Sequence, residues 1–164
     1  MPVSVSEPAA VEFRPTPADD PLVLTLLDEY YAELDRRFSN GFDADLTSQA
    51  DIAGTTPPNG VFLVVWLDGD PVGIGALRSE APGVGEIKRM YLRDAARGHG
   101  LGRRLVRELE ARAREFGMER VCLDSNEALT NAIAMYRELG YTDIERYNHH
   151  PYAHVWLGRS LTGE

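Results

Sequence analysis

A single cysteine, Cys122, is the first scarcity in this 164-residue chain. It excludes an intramolecular disulfide, which suits a reducing compartment and leads to the expectation of a cytoplasmic protein. Cys122 sits in the apolar run Val121-Cys122-Leu123 and reads as a small buried residue rather than a nucleophile. Long hydrophobic runs are missing too. The longest, Val61 to Leu67, falls far short of the roughly 20 residues that a membrane-spanning helix needs. Met1 to Ala10 contain neither a basic nor an apolar stretch, so no signal peptide and no membrane association are expected. Positive charge is also short: 17 Lys and Arg against 26 Asp and Glu give a net charge of −9. That balance argues against general nucleic-acid binding. What is present is ordinary for one globular domain, with 43% hydrophobic and 26% charged residues and no internal repeat. Residues 1–10 read as a flexible N-terminal tail and residues 11–164 as a single domain.

The positive charge is concentrated. Between Glu86 and Arg120 lie ten Lys and Arg against six Asp and Glu, so this window carries +4 and the remainder −13. At its centre is Arg97-Gly98-His99-Gly100-Leu101-Gly102, followed at once by Arg103 and Arg104. A strand-like run, Val84 to Leu92, precedes it and a strongly periodic helix follows. Arginines at a helix start oppose the macrodipole, and glycines there sacrifice backbone entropy. An anion bound at that helix end reconciles both, because free N–H groups and guanidinium forks converge on phosphate oxygens. The motif reads as a pyrophosphate cradle. A tight strand-to-helix turn is the plainer alternative. A dinucleotide fingerprint would need glycine where Arg103 stands, and a Walker loop needs Gly-Lys-Ser/Thr, which is absent.

Around this motif the chain alternates strands and helices. Val11 to Arg14 reads as a first strand. Asp20 before Pro21 is a helix start, a capping side chain followed by proline at the first helical position. Leu22, Leu26, Leu27, Tyr31, Leu34 and Phe38 then share one face. Ser39 to Asn59 is acidic and turn-rich, either a long substrate-side loop or a short helix around Leu46 to Ile52. Val61 to Leu67 and Val72 to Leu77 flank Asp68-Gly69-Asp70-Pro71 as a hairpin. After the glycine motif, Leu101, Leu105, Leu109, Ala113 and Phe116 form a helix face that stops at Gly117. Arg120 to Asp124 is a short strand, and Leu129, Ala132, Ile133, Tyr136 and Leu139 a further helix face closed by Gly140. Tyr141 to Tyr147 and His154 to Leu157 complete the sheet as an antiparallel pair. The expected class is α/β: a mixed, mostly antiparallel twisted sheet with helices on both faces.

This order, with Arg-x-x-Gly-x-Gly between strand and helix, resembles the GNAT superfamily of N-acetyltransferases. The runs Glu86-Ile87-Lys88-Arg89-Met90-Tyr91-Leu92 and Met135-Tyr136-Arg137-Glu138-Leu139-Gly140-Tyr141 carry the same resemblance, which spans Val61 to Leu157. It implies acetyl-coenzyme A as co-substrate. The backbone from Arg97 through Gly98, His99, Gly100, Leu101 and Gly102 to Arg103 would hold the pyrophosphate. The exposed strand edge at Met90, Tyr91 and Leu92 would pair with the pantetheine arm like an added strand. One departure stands out. The family often has asparagine three residues before the position of Ala132, where this chain has Leu129, leaving Asn131 or Asn126 to make that contact.

The resemblance also implies that Tyr136 protonates the departing thiolate. The acceptor is then a primary amine, on a small molecule or on a protein. A lysine-like amine must give up a proton at a cost of about 4.6 kcal/mol at pH 7, an α-amino group only about 1–1.4 kcal/mol. A base is therefore useful, and Glu86 is the candidate, directly or through a water; an ion pair with Lys88 or Arg89 is the alternative reading. A backbone N–H near Met90 is the expected oxyanion donor. His149, His150 and His154 are expected to line the acceptor pocket with Tyr147 and Trp156, and no metal is expected. A catalytically silent acyl-coenzyme A-binding domain is the rival from another class. Exposed terminal strands make a homodimer a further expectation.

Overall fold

The computed structural model describes residues 10–43 and 54–162. The short helix expected around Leu46 to Ile52 lies outside these residues, as does nearly all of the expected N-terminal tail.

The continuous apolar run of the hairpin has a simple cause: its strands are covered on both sides. β1 (Val11–Pro15), β2 (Gly60–Leu67), β3 (Asp70–Ala81), β4 (Val84–Leu92), β5 (Arg120–Ser125), β6 (Thr142–Asp143) and β7 (Val155–Ser160) form one sheet in the order β1-β2-β3-β4-β5-β7-β6. Along β2, Phe62 and Val64 pack with Val23, Leu26 and Leu27 of α1 (Pro21–Arg37). Their neighbours Val61, Leu63 and Val65 share a cluster with Leu105 and Leu109 of α2 (Leu101–Glu115) and Tyr136 of α3 (Thr130–Glu138). The period of two thus sends alternate side chains to opposite helical layers. Every neighbouring pair of strands is antiparallel except β4 and β5.

Local signals set the element ends. The Asp20 carboxylate accepts from the Leu22 N–H at 2.9 Å, and Pro21 opens α1. Gly117, at φ +80°, follows α2. One expectation is corrected. Tyr141 to Tyr147 is not a full strand, since β6 holds only Thr142 and Asp143. Beyond the Ile144 N–H bond to the Trp156 carbonyl (3.0 Å), side chains turn inward instead: Tyr147 to Glu86 and Asn148 to Asp124. These contacts draw the segment off the ladder. β7 in turn begins at Val155, one residue late, although the His154 N–H still bonds the Ser125 carbonyl of β5 at 2.9 Å.

The feature that makes the site is a split in the sheet. β4 and β5 pair only at Val84–Arg120, Gly85–Val121 and Glu86–Cys122. Past this point β5 follows β7, and β4 bulges away. Its register against β3 slips between Lys88 and Tyr91, with Arg89 at φ +57°. Bulges bend a strand and release it from its neighbour. The two strands open a wedge there.

Candidate active site

A cavity of about 330 Å³ fills the wedge. One wall is β4 from Ile87 to Leu92, and the other is the end of β5, including Asp124, together with α3 residues Asn131, Met135 and Tyr136. Tyr30 and Leu34 of α1 and, beyond it, Phe38, Phe42, His150 and Tyr152 enclose the far end. Met90, Tyr91 and Leu92 therefore face the cavity, on a strand that has no partner on the β5 side beyond Glu86 among the described residues.

Gly102, in the first turn of α2, also lines the cavity, so the glycine loop stands at its mouth. Gly98 and Gly100 take positive φ angles of +82° and +64°, and Gly100 is the residue that precedes α2. Among the described residues no side chain caps this helix start, and its first turn holds no acid. Four backbone N–H groups thus face outward with the positive end of the dipole. A Cβ on Gly98 or Gly100 would meet nothing within 4 Å, so the space beside the loop at these two glycines is open. Gly102 serves differently: its missing Cβ would lie 3.1 Å from the Met135 sulfur, so it lets α3 approach α2. Leu101 is a core side chain at 1% exposure, and only its backbone can serve a ligand. His99 is exposed. Arg97 pairs with Asp94 at 3.1 Å, Arg103 with Glu138 of α3, and Arg104 lies 5.9 Å over the Phe13 ring.

Tyr136 is 6% exposed and packs edge-on against Tyr141, ring centroids 5.9 Å apart. Burial, reinforced by the fields of Tyr30 and Asp124, pushes its hydroxyl well above the ordinary phenol range. Glu86 does not line the cavity among the described residues; it is fully buried beneath it. Its Oε1 accepts from Arg78 Nε at 2.9 Å and lies 3.4 Å from Lys88 Nζ, while the Tyr147 hydroxyl donates to Oε2 at 2.6 Å. The ion pair anticipated with Lys88 is present. Arg89 is instead stacked 5.6 Å over the Tyr31 ring.

Asp124 is the carboxylate that does reach the cavity, and sequence reasoning missed it. Asn148 Nδ2 donates to its Oδ2 at 2.6 Å, and Trp156 Nε1 donates to Asn148 Oδ1 at 3.0 Å. An indole can only donate, so the amide is fixed with its NH₂ toward Asp124. The available signal was a lone acid closing the apolar strand Val121-Cys122-Leu123. Both asparagines line the cavity, but Asn126 is committed to Tyr152 and Ala128 through both ends of its amide, so Asn131 is the better placed of the two to meet a ligand. His150 lines the cavity, whereas His149, His154, Tyr147 and Trp156 do not among the described residues. Among those residues no group of three or more His, Cys, Asp or Glu is placed to hold a metal, and no helix is long and apolar enough to cross a membrane.

Residues 24–141 match the model of the acetyltransferase (GNAT) family. The chain belongs to this family and is an acetyltransferase. Its relatives include the IAA acetyltransferase of Azospirillum brasilense, 33% identical over 131 residues that cover 79% of this chain and 82% of that protein. An uncharacterized N-acetyltransferase of Escherichia coli, YjgM, is 28% identical with 87% of each chain covered. In three dimensions the fold is similar to a GNAT acetyltransferase from Staphylococcus aureus, with a TM-score of 0.76 at 16% identity over 93% of this chain and all (100%) of that one. It is also similar to a GNAT acetyltransferase from Elizabethkingia anophelis solved with acetyl-CoA bound, with a TM-score of 0.66 at 14% identity over 92% and 98% of the two chains.

Proposed function

We propose that this acetyltransferase draws its acetyl group from acetyl-coenzyme A and delivers it by direct transfer to a primary amine. The observation that carries the reading is convergence: an uncapped glycine helix start, an unpaired strand edge, a buried tyrosine and a carboxylate all meet at one cavity. The open space before Gly98 and Gly100 fits a pyrophosphate, and the strand edge fits a pantetheine arm with its alternating amides. Acetyl-coenzyme A, when bound, supplies an activated acyl group on a thiol leaving group.

The chain's own residues then have separable tasks. The backbone from Arg97 to Arg103 holds the diphosphate, and Met90 to Leu92 align the arm. Asn131 borders the same space from α3. Asp124, fixed by Asn148, accepts the proton of the incoming ammonium. This assignment replaces Glu86, whose oxygens are already engaged by Arg78, Lys88 and Tyr147; Glu86 instead positions the segment that carries Asn148. Tyr136 holds its proton tightly and meets the departing sulfur as a hydrogen-bond donor. Cys122 is 6% exposed with its thiol pushed up to about 12 by burial, so it stays out of the chemistry and suits a cytoplasmic setting.

Two measurements test the reading. Titration calorimetry is expected to show coenzyme A binding, and thiol release from acetyl-coenzyme A is expected with at least one member of an amine panel. Absence of any coenzyme A binding to folded protein at millimolar concentration would overturn it.

A further inference from the structure

The end of the cavity beyond Tyr136 and Asp124 is built from rings. Phe42 and Tyr152 lie 4.7 Å apart, Phe38 stands 5.6 Å from Tyr152, and Tyr30 stands 6.0 Å from Tyr91; all five line the cavity. These rings are more than core packing. Phe42 follows the end of α1, and Tyr152 lies in the segment before β7; neither residue belongs to a helix or strand, and both rings are half-buried. Each is nevertheless pinned. The Phe42 N–H bonds Asp35 Oδ1 at 2.8 Å, the Tyr152 hydroxyl accepts from the Asp43 N–H at 2.7 Å, and the Tyr152 carbonyl accepts from Asn126 Nδ2 at 2.9 Å. Irregular backbone held this firmly presents its rings in one fixed arrangement before any ligand arrives, which lowers the ordering cost of binding. Charge points the same way. Asp124 is the one carboxylate among the described lining residues, and Lys88 and Arg89 also line the cavity. Among those residues a polycation would find a single anionic partner and two cations.

We infer that the acceptor is a small amine carried on an aromatic frame, its ring against Phe38, Phe42 and Tyr152 and its nitrogen toward Asp124. This rests on the acetyl-transfer reading above and names its substrate class. The reaction balances without a further reagent: a C–N bond forms as the C–S bond breaks, one ammonium proton leaves through Asp124, and a second N–H proton ends on the departing sulfur, which is released as the thiol.

The test compares phenethylamine, hexylamine and spermidine as acceptors by thiol release, and as ligands of the coenzyme A-loaded protein by calorimetry. Phenethylamine is expected to exceed hexylamine by about tenfold in kcat/KM, and spermidine by more, as ring-on-ring contact and a one-carboxylate site dictate. Phe42→Leu keeps apolar volume but removes a ring; it should bring the two monoamines close together while leaving the KM for acetyl-coenzyme A unchanged. Phe42→Tyr, which keeps the ring, should retain the preference. Equal or better use of hexylamine or spermidine overturns the inference while acetyl transfer stands. If no amine turns over, the binding arm decides: tighter phenethylamine binding supports the aromatic site and its absence removes it. Failure of coenzyme A itself to bind would sink the acetyl-transfer reading instead, and phenethylamine titrated into the free protein would then decide the site.

Discussion

Tyr147 donates a 2.6 Å hydrogen bond to Oε2 of Glu86, so a hydroxyl from the segment between β6 and β7 closes on a carboxylate fully buried in β4. Such a charge is tolerable only because Arg78, Lys88 and Tyr147 answer it. Removing a hydrogen bond to a charged group costs about 1.5–3 kcal/mol. Tyr147→Phe is expected to lower unfolding free energy by that amount in urea. Glu86→Gln should cost at least as much, since it removes the charge that Arg78 Nε and Lys88 Nζ meet at Oε1. Neither side chain lines the cavity, so the KM for acetyl-coenzyme A of the folded fraction should stay near wild type.

Asp124 and Glu86 are distinguishable by pH. If Asp124 accepts the amine proton, Asp124→Asn should lower kcat/KM for the amine by about 10²–10⁴ at neutral pH. The deficit should shrink in alkaline buffer, where solution deprotonates the amine first. Glu86→Gln should lower the rate without changing the shape of the pH profile. A reversed pattern, with the alkaline rescue appearing in Glu86→Gln, would hand the role back to Glu86.

Tyr136 makes the third test. Its hydroxyl is pushed well above the ordinary phenol range by burial, so complete proton transfer to a thiolate near 8.5 is strongly uphill. The contribution proposed for it is a hydrogen bond to developing charge. Tyr136→Phe should therefore lower kcat by about one to three decades. Affinity for coenzyme A, read by calorimetry, should be nearly intact. Unchanged kcat would remove Tyr136 from the chemistry.

What the sequence disclosed, and what it hid, follows from the range of the interactions. Asp20 capping Leu22 spans two residues and announces itself, as do Gly98 and Gly100 in a strand-to-helix turn and the hydrophobic periods of α1 and α2. Tyr147 meeting Glu86 spans 61 residues and depends on a strand that stops pairing after two positions. Asp124 gains its place because β4 bulges at Arg89 and leaves β5, a backbone event with no local residue signature. The aromatic end needs Phe42 and Tyr152, far apart in the chain and on irregular backbone, to arrive together. Polar and aromatic side chains that act across elements are legible only after the sheet topology is known.

Alkaline stability is a fourth consequence. Desolvation raises Tyr30 and Tyr91 to about 12, with the Glu29 carboxylate adding to the second, and lifts Tyr136, Tyr141 and Tyr147 as well. A folded-state pKa raised above the unfolded value of about 10 means stability that is intact below pH 10 and lost as pH rises through the folded values. Each fully enclosed tyrosine contributes a slope of up to about 1.4 kcal/mol per pH unit in that window. Absorbance from these five tyrosinates should therefore appear together with unfolding rather than before it. Titration of five or more of the seven tyrosines in protein that keeps its circular dichroism would contradict the burial.

Gly100 and Gly60 separate ligand space from fold space. At Gly100 a Cβ would meet nothing within 4 Å, so Gly100→Ala pays only for φ +64°, about 1–2 kcal/mol. The added methyl would, however, enter the open space at the start of α2, where the diphosphate is proposed to lie. At Gly60 the Cβ would fall well inside contact distance of the Gly54 and Leu77 carbonyl oxygens, so Gly60→Ala must push β2 off β3, away from the cavity lining. The first variant should melt a few degrees lower yet bind coenzyme A about tenfold more weakly. The second should lose far more stability, and its binding should fall only with the folded fraction. Thermal melts and calorimetry on both variants read the two quantities independently. Equal binding losses per unit of lost stability would mean that the space in front of Gly100 is not where the diphosphate sits.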